Sequence, residues 1–352
     1  DSQEFSMQHP EVVEFIEFIT SIFPPPSKKD KAKGNGGVVH YVLKWLASMY
    51  DGHTSDELFH CLVGCGGNGK SLLQDAVEKA FGEYYNTVSV TLLTDKRGSA
   101  DACTNAYESI KDVRSTWTAE PEKNREFNSG VVKQLTGGDT ISSRGLFKKA
   151  RAFKPQATWA IVTNYMPNVD AEDDALWRRM RVIKFPMKFV PNPDPTNPFE
   201  KLRIDELKYK AKQGVWSGAI QWLLLTIYYP IYKKEGLLDL NMIPDAISIE
   251  TEKYRSSNDE IVDFITNNLI NIDENDPSDD HTELDTKSLT TLFSKFVERR
   301  RPRSVYHKYA NNETKIIKLF TKRKKFGPPD TLREDVVGWQ NWGIKESCQL
   351  FD

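Results

Sequence analysis

Residues 64–71 read Gly64-Cys65-Gly66-Gly67-Asn68-Gly69-Lys70-Ser71 and match the pattern G-x-x-x-x-G-K-[ST]. The octet follows Leu58–Val63, a short apolar run of strand type, and precedes Leu72–Ala80, whose apolar spacing is helical. Strand, glycine-rich turn and helix form the setting in which such an octet wraps phosphate. Glycines let backbone N–H groups approach the oxygens, and the helix N-terminus adds positive potential. Residues Gly64, Cys65, Gly66, Gly67, Asn68 and Gly69 supply the wrap, and Lys70 reaches the β and γ oxygens of ATP. The Ser71 hydroxyl ligates Mg²⁺. A glycine-rich turn followed by a chance Lys-Ser is the alternative, and the agreement of strand, loop and helix argues against it.

Outward from the octet, strand-like runs alternate with helical ones as far as Pro186. Thr87–Leu93, Val113–Ala119, Thr158–Thr163 and Arg181–Phe185 are the further strand candidates. That alternation predicts an α/β fold around parallel strands. On the N-terminal side, residues 11–22 place Val12, Phe15, Ile16 and Ile19 on one helical face. Pro24–Gly37 reads as a loop, and Val38–Tyr50 has Val42, Leu43, Leu46 and Met49 inward. Beyond the strands, Val190–Pro198 holds four prolines and reads as a boundary. Residues 199–270 are helical in pattern, 271–285 are acidic and turn-rich, and the segment from Thr286 is locally basic. Gln213–Tyr232 carries no charge over twenty residues, but Gly214, Ser217, Gly218, Gln221, Thr226 and Pro230 interrupt it. A buried helix is expected there, not a membrane span.

A P-loop alone does not choose among kinases, GTPases, transporters and motors. Val113–Ala119 ends in Glu120-Pro121-Glu122, two acids that could serve the water shell of Mg²⁺ and the attacking water; a pair of solvated glutamates is the alternative. The polar residues Arg114, Ser115 and Thr116 weaken that strand assignment. Thr158–Thr163 ends at Asn164, an amide able to orient water or the γ-phosphate, or an ordinary turn residue. Arg178 and Arg179 follow Asp173-Asp174 and lead into the next strand. Such an arginine can stabilise charge on a transferring phosphoryl group, or simply pair with Asp173 or Asp174.

Between these elements, residues 139–154 read DTISSRGLFKKARAFK and are compatible with a β-hairpin. Lys148 and Lys149 there could grip phosphates, with Arg144 nearby and Phe147 against a sugar or base. A solvated basic turn with Phe147 in the core is the other reading. Between Leu292 and Lys325 twelve Lys/Arg face two Glu, interleaved with Phe293, Phe296, Tyr306, Tyr309 and Phe320. A small winged-helix domain on DNA and a solvated protein-binding or inert face are both open.

Composition sets outer limits. The 352 residues suit two or three domains, with 39% hydrophobic and 28% charged residues as in an ordinary globular chain. Lys plus Arg is 48 and Asp plus Glu is 50, so bulk charge does not hold this chain on nucleic acid. Cys61, Cys65, Cys103 and Cys348 form no CxxC pair, which argues against a zinc module or a disulfide scaffold. The chain starts at Asp1 with no signal-peptide pattern, as expected of a piece of a longer protein.

The ordered set GCGGNGKS, AEPE, KQLTGGDTISSRGLFKK, WAIVTNYMPNV and DDALWRRMRVIKFP resembles the superfamily 3 helicases, and more narrowly the poxvirus-type primase–helicases of large DNA viruses, phages and plasmids. The likeness is strongest from Leu58 to Pro186 and fades toward Ile270. It implies an AAA+-like α/β ATPase core at 56–190, behind a helical collar at 1–55. A helical region at 191–270 packs on that core, and a small C-terminal domain lies within 271–352. It further implies Walker A residues Lys70 and Ser71, Walker B acids Glu120 and Glu122, a sensor asparagine at Asn164, and an arginine finger at Arg179 or Arg178. Such proteins form hexameric rings, bind ATP with Mg²⁺ between subunits, and translocate on single-stranded DNA. A primase domain lies upstream, no membrane is involved, and the expected site is intracellular, in host cytoplasm or a viral replication site. The expected function is an ATP-dependent DNA helicase motor. A DNA-packaging or remodelling ATPase and an ATP-dependent assembly scaffold are the competing expectations.

Overall fold

The computed structural model of the chain describes residues 4–95, 105–118, 120, 125–143, 151–171, 173–271, 281–299, 304, 306, 312–321, 329–333 and 336–345. The chain divides into two compact units. One comprises Asp1–Val169 and Asp173–Arg255, and the other Asp170–Glu172 and Ser256–Asp352.

The first unit opens with helix α1 (Pro10–Ser21), α2 (Lys28–Lys33) and α3 (Gly37–Ser48). The segment read as a loop thus contains a helix. Its cause is a capping box: the Ser27 hydroxyl accepts from the Asp30 N–H, the Asp30 carboxylate accepts from the Ser27 N–H, and Gly34 closes the helix at φ 67°. Buried Asp30 also accepts from Asn35 Nδ2 at 3.0 Å and from the backbone N–H of Asp245 at 2.9 Å. Next come β1 (Phe59–Val63), α4 (Lys70–Phe81), β2 (Tyr85–Val88), α5 (Thr91–Thr94), α6 (Asn105–Glu108) and β3 (Ser115–Thr118). The run predicted as a strand over Thr87–Leu93 therefore ends at Val88 and turns helical at Thr91.

Helix α7 (Ser129–Thr136) leads into β4 (Ile141–Ser143) and β5 (Arg151–Phe153), an antiparallel pair, and then β6 (Thr158–Thr163). After α8 (Asp174–Trp177) and β7 (Met180–Lys184), strands β8 (Lys188–Val190) and β9 (Glu200–Leu202) pair with each other across the proline-rich segment. Helices α9 (Asp205–Gln213), α10 (Ser217–Trp222), α11 (Tyr229–Glu235) and α12 (Asp245–Ser257) follow.

The central sheet has the order β2-β3-β6-β1-β7, and every neighbouring pair is parallel. Alternation sends Trp159 and Ile161 to one face and Ala160 to the other, so two separate cores form. One takes α1, α3, α4 and α10, and the other takes α7 and α8. The polar β3 is a buried strand: Ser115, Thr116 and Thr118 are fully buried, and the Ser115 hydroxyl accepts from Trp117 Nε1 at 2.8 Å. β-Branched threonine suits a pleated strand, which explains how so polar a run lies mid-sheet.

The uncharged stretch is helical and one-sided. Leu223 and Leu224 are fully buried while Leu225 is exposed. Between α10 and α11 the helix widens to a π-turn over Leu223–Tyr228. Pro230, having no N–H, cannot continue the ordinary ladder there. Among the described residues, no helix is long and apolar enough to cross a membrane.

The second unit contains α13 (Glu260–Asn268), β10 (Leu269–Asn271), β11 (His281–Asp285), α14 (Thr286–Arg299), α15 (Glu313–Thr321), β12 (Asp330–Arg333) and β13 (Val336–Lys345). β13 pairs antiparallel with β10, β11 and β12. Phe264 anchors its core, with ring centroids 5.2 Å from Phe293, 5.3 Å from Phe296 and 5.7 Å from Phe320.

Asp30 provides a test of the N-terminal packing. Burial pushes its carboxyl upward, but the hydrogen bonds from Asp245, Asn35 and Ser27 outweigh burial and hold it below the usual aspartate range. Its stabilisation is therefore complete above about pH 4 and lost as pH falls through the lower folded value. Asp30→Ala should cost about 2–3 kcal/mol at neutral pH, because three donors lose a charged acceptor. Thermal melts of Asp30→Asn should lose part of the wild-type acid limb. An unchanged melting profile for both variants would show that the box carries no stability.

Candidate functional site

The parallel sheet explains where the polar groups collect. In a parallel sheet all carboxyl ends lie on one edge, and a crevice opens there between strands whose crossovers run to opposite faces. Residues 64–71 leave β1, Glu120 lies two residues past β3, and Asn164 follows β6 directly. Since β6 sits between β3 and β1, all three meet at one edge.

The conformation of the loop at residues 64–71 depends on its glycines. Gly69 has φ 86°, and a Cβ there would meet Ile22 Cγ2 at 2.6 Å. A Cβ on Gly64 would meet Asn68 Nδ2 at 2.3 Å and the Phe185 carbonyl at 2.7 Å. Lys70 is only 5% exposed. Its Nζ donates to the Gly64 carbonyl, to Asn68 Oδ1 at 3.2 Å and to Asn164 Oδ1 at 3.1 Å. Asn164 in turn donates from its backbone N–H and from Nδ2 to the two oxygens of Glu120, both at 3.1 Å. Burial pulls the Lys70 ammonium below the usual lysine range, and the Glu120 charge acts against that.

These groups line a cavity of about 800 Å³. Gly66–Ser71, Glu120, Thr163 and Asn164 are among its lining residues. Phe18, Phe189, Leu202 and Leu207 give an apolar portion, and Lys201, Arg203 and Lys208 add cations. The second strand pair reaches the loop directly, since Phe189 N donates to Gly67 O at 2.7 Å. Residues 201–208 escaped sequence reasoning because they follow a proline-rich stretch with no spacing motif. The available signal was the alternation of basic and apolar residues in Lys201-Leu202-Arg203-Ile204.

A cavity of this size, lined by N–H-rich glycines, a buried lysine and apolar side chains, suits a nucleotide. For magnesium the donor set also fits. Ser71 and Glu120 line the same cavity, and the described residues contain no cluster of three His, Cys, Asp or Glu. Sparse protein ligation suits an ion that arrives with phosphates and keeps its water.

The remaining candidates fall elsewhere. Arg178 and Arg179 do not line this cavity. Arg179 is largely buried, donating to the Ala175 carbonyl at 2.6 Å and pairing with Glu57 at 2.5 Å. Arg178 is exposed beside a separate cleft that it shares with Trp177 and Arg255. Asp173 pairs with Lys133 at 2.8 Å and Asp174 with Arg255 at 2.5 Å. The described ion pairs of both aspartates therefore involve neither Arg178 nor Arg179. Glu122, Arg144, Phe147, Lys148 and Lys149 lie outside the described residues, between elements that are described.

Comparison with known proteins follows the same lines. Residues 62–179 match a family of unknown function, DUF5906. A protein of Acanthamoeba polyphaga mimivirus, provisionally named helicase L207/L206, is 33% identical over 239 residues, covering 66% of this chain and 24% of that protein. A protein of African swine fever virus (strain Badajoz 1971 Vero-adapted), provisionally named primase C962R, is 27% identical over 233 residues, covering 65% and 24%. This chain thus spans about a quarter of the length of these relatives. The solved C-terminal region of NrS-1 matches at a TM-score of 0.51 and 14% identity, over 96% of this chain and 76% of that one. That likeness concerns the fold alone. By sequence, the chain is a homologue of proteins of large DNA viruses that are provisionally named helicase or primase.

Proposed function

We propose that this chain is the ATP-hydrolysing motor of a DNA helicase that acts as a homo-oligomeric ring, a hexamer by resemblance, on single-stranded DNA during genome replication. The observation that carries the reading is the convergence of Lys70, Asn164 and Glu120 on one cavity beside the P-loop. In this reading the P-loop N–H groups hold the β-phosphate. The buried ammonium exchanges its neutral acceptors for the phosphate oxygens. Magnesium, held by Ser71 and Glu120, would neutralise phosphate charge. Asn164 orients the attacking water, and Glu122 polarises it.

Arg178 and Arg179 lie off the cavity, whose own arginine is Arg203, so in this reading either one acts only when a second copy presents it across an interface. In the ring the N-terminal helices would form a collar, and the hairpin residues Arg144, Phe147, Lys148 and Lys149 would contact the DNA strand. A primase domain would occupy part of the intact protein outside this chain. No specific feature favours packaging or scaffolding over this reading. Unwinding of a forked duplex separates the three functions: packaging predicts DNA-stimulated turnover without unwinding, and scaffolding predicts assembly without DNA stimulation.

Two predictions follow from the site. Lys70→Met removes the cation facing the phosphates, so steady-state ATPase should fall by at least about 10²-fold. Its melting temperature without nucleotide should not drop, because a desolvated charge is replaced by an apolar chain of similar length. Turnover close to wild type would refute the nucleotide assignment.

Subunit mixing tests the arginines. Arg179→Ala and Arg178→Ala should bind nucleotide but lose about 10³-fold in turnover for whichever residue acts across the interface. Mixed with Lys70→Met subunits under proven exchange, that variant should regain part of its ATPase, since some interfaces pair an intact P-loop with an intact arginine. No recovery for either arginine would place catalysis within one subunit.

A further inference from the structure

A triphosphate engages N–H groups and cations, which leaves the apolar lining of the cavity without a part in the chemistry described so far. Phe18 and Phe189 are the aromatic side chains among its described lining residues. The Phe18 ring is 4% exposed, stacked on Trp216 at 5.6 Å and tilted against Phe15 at 6.4 Å, so the core holds it. Phe189 is half-buried, packed on one side against the helical core, and among the described residues its ring has no aromatic or cationic partner. On the nucleotide reading of this cavity, we infer that the Phe189 ring is the platform on which the base of the bound nucleoside triphosphate stacks.

Two hydrogen bonds fix the strand that carries this ring. Phe189 lies in the middle of β8, and its N–H donates to the Gly67 carbonyl at 2.7 Å, so the residue is joined to the glycine-rich loop itself. β8 pairs in parallel with β9, with Phe189 opposite Lys201, and Lys201 Nζ donates to the Ser21 carbonyl at the end of α1 at 2.8 Å. The ring therefore keeps a set separation from the N–H groups that would hold the phosphates. A platform placed in advance lowers the ordering cost of binding, because neither strand nor loop has to be assembled around the ligand.

The neighbouring side chains favour stacking over hydrogen bonding to a base edge. Leu202 and Ile204 line the same cavity and are 57% and 51% exposed, apolar surface that a base would remove from water. The Ser21 hydroxyl donates to the Phe18 carbonyl at 2.7 Å, and Gln74 Nε2 donates to the Tyr85 hydroxyl at 2.9 Å. These lining donors are thus engaged within the chain. An aliphatic side chain such as Leu207 can cover a base, but a flat ring meets a flat base over its whole face and adds the attraction between offset π-systems.

The test uses the full chain with Mg²⁺ and two probes, the non-hydrolysable analogue AMP-PNP and inorganic tripolyphosphate, which has no base. Both affinities are read by isothermal titration calorimetry. Wild type should bind AMP-PNP more tightly than tripolyphosphate. Phe189→Ala should weaken AMP-PNP about tenfold and leave tripolyphosphate within about twofold, a split that neither misfolding nor a damaged loop produces. Phe189→Trp supplies a larger flat ring and should bring AMP-PNP affinity back to within about threefold of wild type. The inference is overturned if Phe189→Ala binds AMP-PNP as wild type does, or if it loses both probes in equal measure. It is equally overturned if Phe189→Trp binds AMP-PNP as weakly as Phe189→Ala. Wild type that binds neither probe refutes the nucleotide reading together with this inference. Wild type that binds both, with AMP-PNP affinity indifferent to Phe189→Ala, refutes the stacking platform alone.

Discussion

A buried ammonium with only neutral oxygen acceptors is the constraint on which the candidate site depends. Lys70 sits at the first turn of α4, donates to Gly64, Asn68 and Asn164, and is linked to the Glu120 carboxylate through Asn164. Desolvating an ion is costly unless a counter-charge restores the balance. A triphosphate does that, so the arrangement is poised to bind anion. The hydrogen bonds that Asn164 makes to Glu120 carry the same logic one step further. Binding that draws Lys70 away from Asn164 frees an amide oxygen beside a carboxylate, within the cavity where water and metal would sit.

Strand order makes this coupling possible. With β6 between β3 and β1, the amide from one strand end lies between Lys70 and the acid from another. Had β3 bordered β1 directly, Glu120 would face Lys70 without an intermediary, and the charge pair would compete with phosphate. The cation-bearing segment 201–208 closes the cavity from a different part of the chain, joined to the loop through Phe189 and Gly67.

Much of this was legible in the sequence, for identifiable reasons. Residues 64–71 carry fixed spacing, and Thr158–Thr163 is a clean apolar run, so the glycine-rich turn between a strand and a helix, and the Asn164 strand end, could be placed. Strand order could not, because parallel pairing is decided by contacts far apart in the chain. The helix Lys28–Lys33 was hidden by composition: its lysines suggest loop, and only the Ser27–Asp30 box reveals it. The stretch Thr87–Leu93 looked continuous because apolar residues serve a strand and a short helix equally, and the change of period at Val90 is too brief to detect. Lys201 and Arg203 reach the cavity through the β8–β9 pairing and Lys208 through α9, placements that no local pattern announces. Arg178 and Arg179 are adjacent in sequence yet differ in burial, a distinction that depends on Glu57, over a hundred residues away.

The central claim is that the Lys70 cavity is a nucleotide site whose polar contacts rearrange on binding. A structure of the chain with Mg²⁺ and a non-hydrolysable ATP analogue tests this most directly. The account predicts triphosphate density against Gly66–Ser71, with Lys70 Nζ on phosphate oxygens and no longer on Asn164, and a metal beside Ser71 and Glu120. An analogue bound elsewhere, or a filled cavity in which Lys70 still holds Gly64 and Asn164, would contradict it.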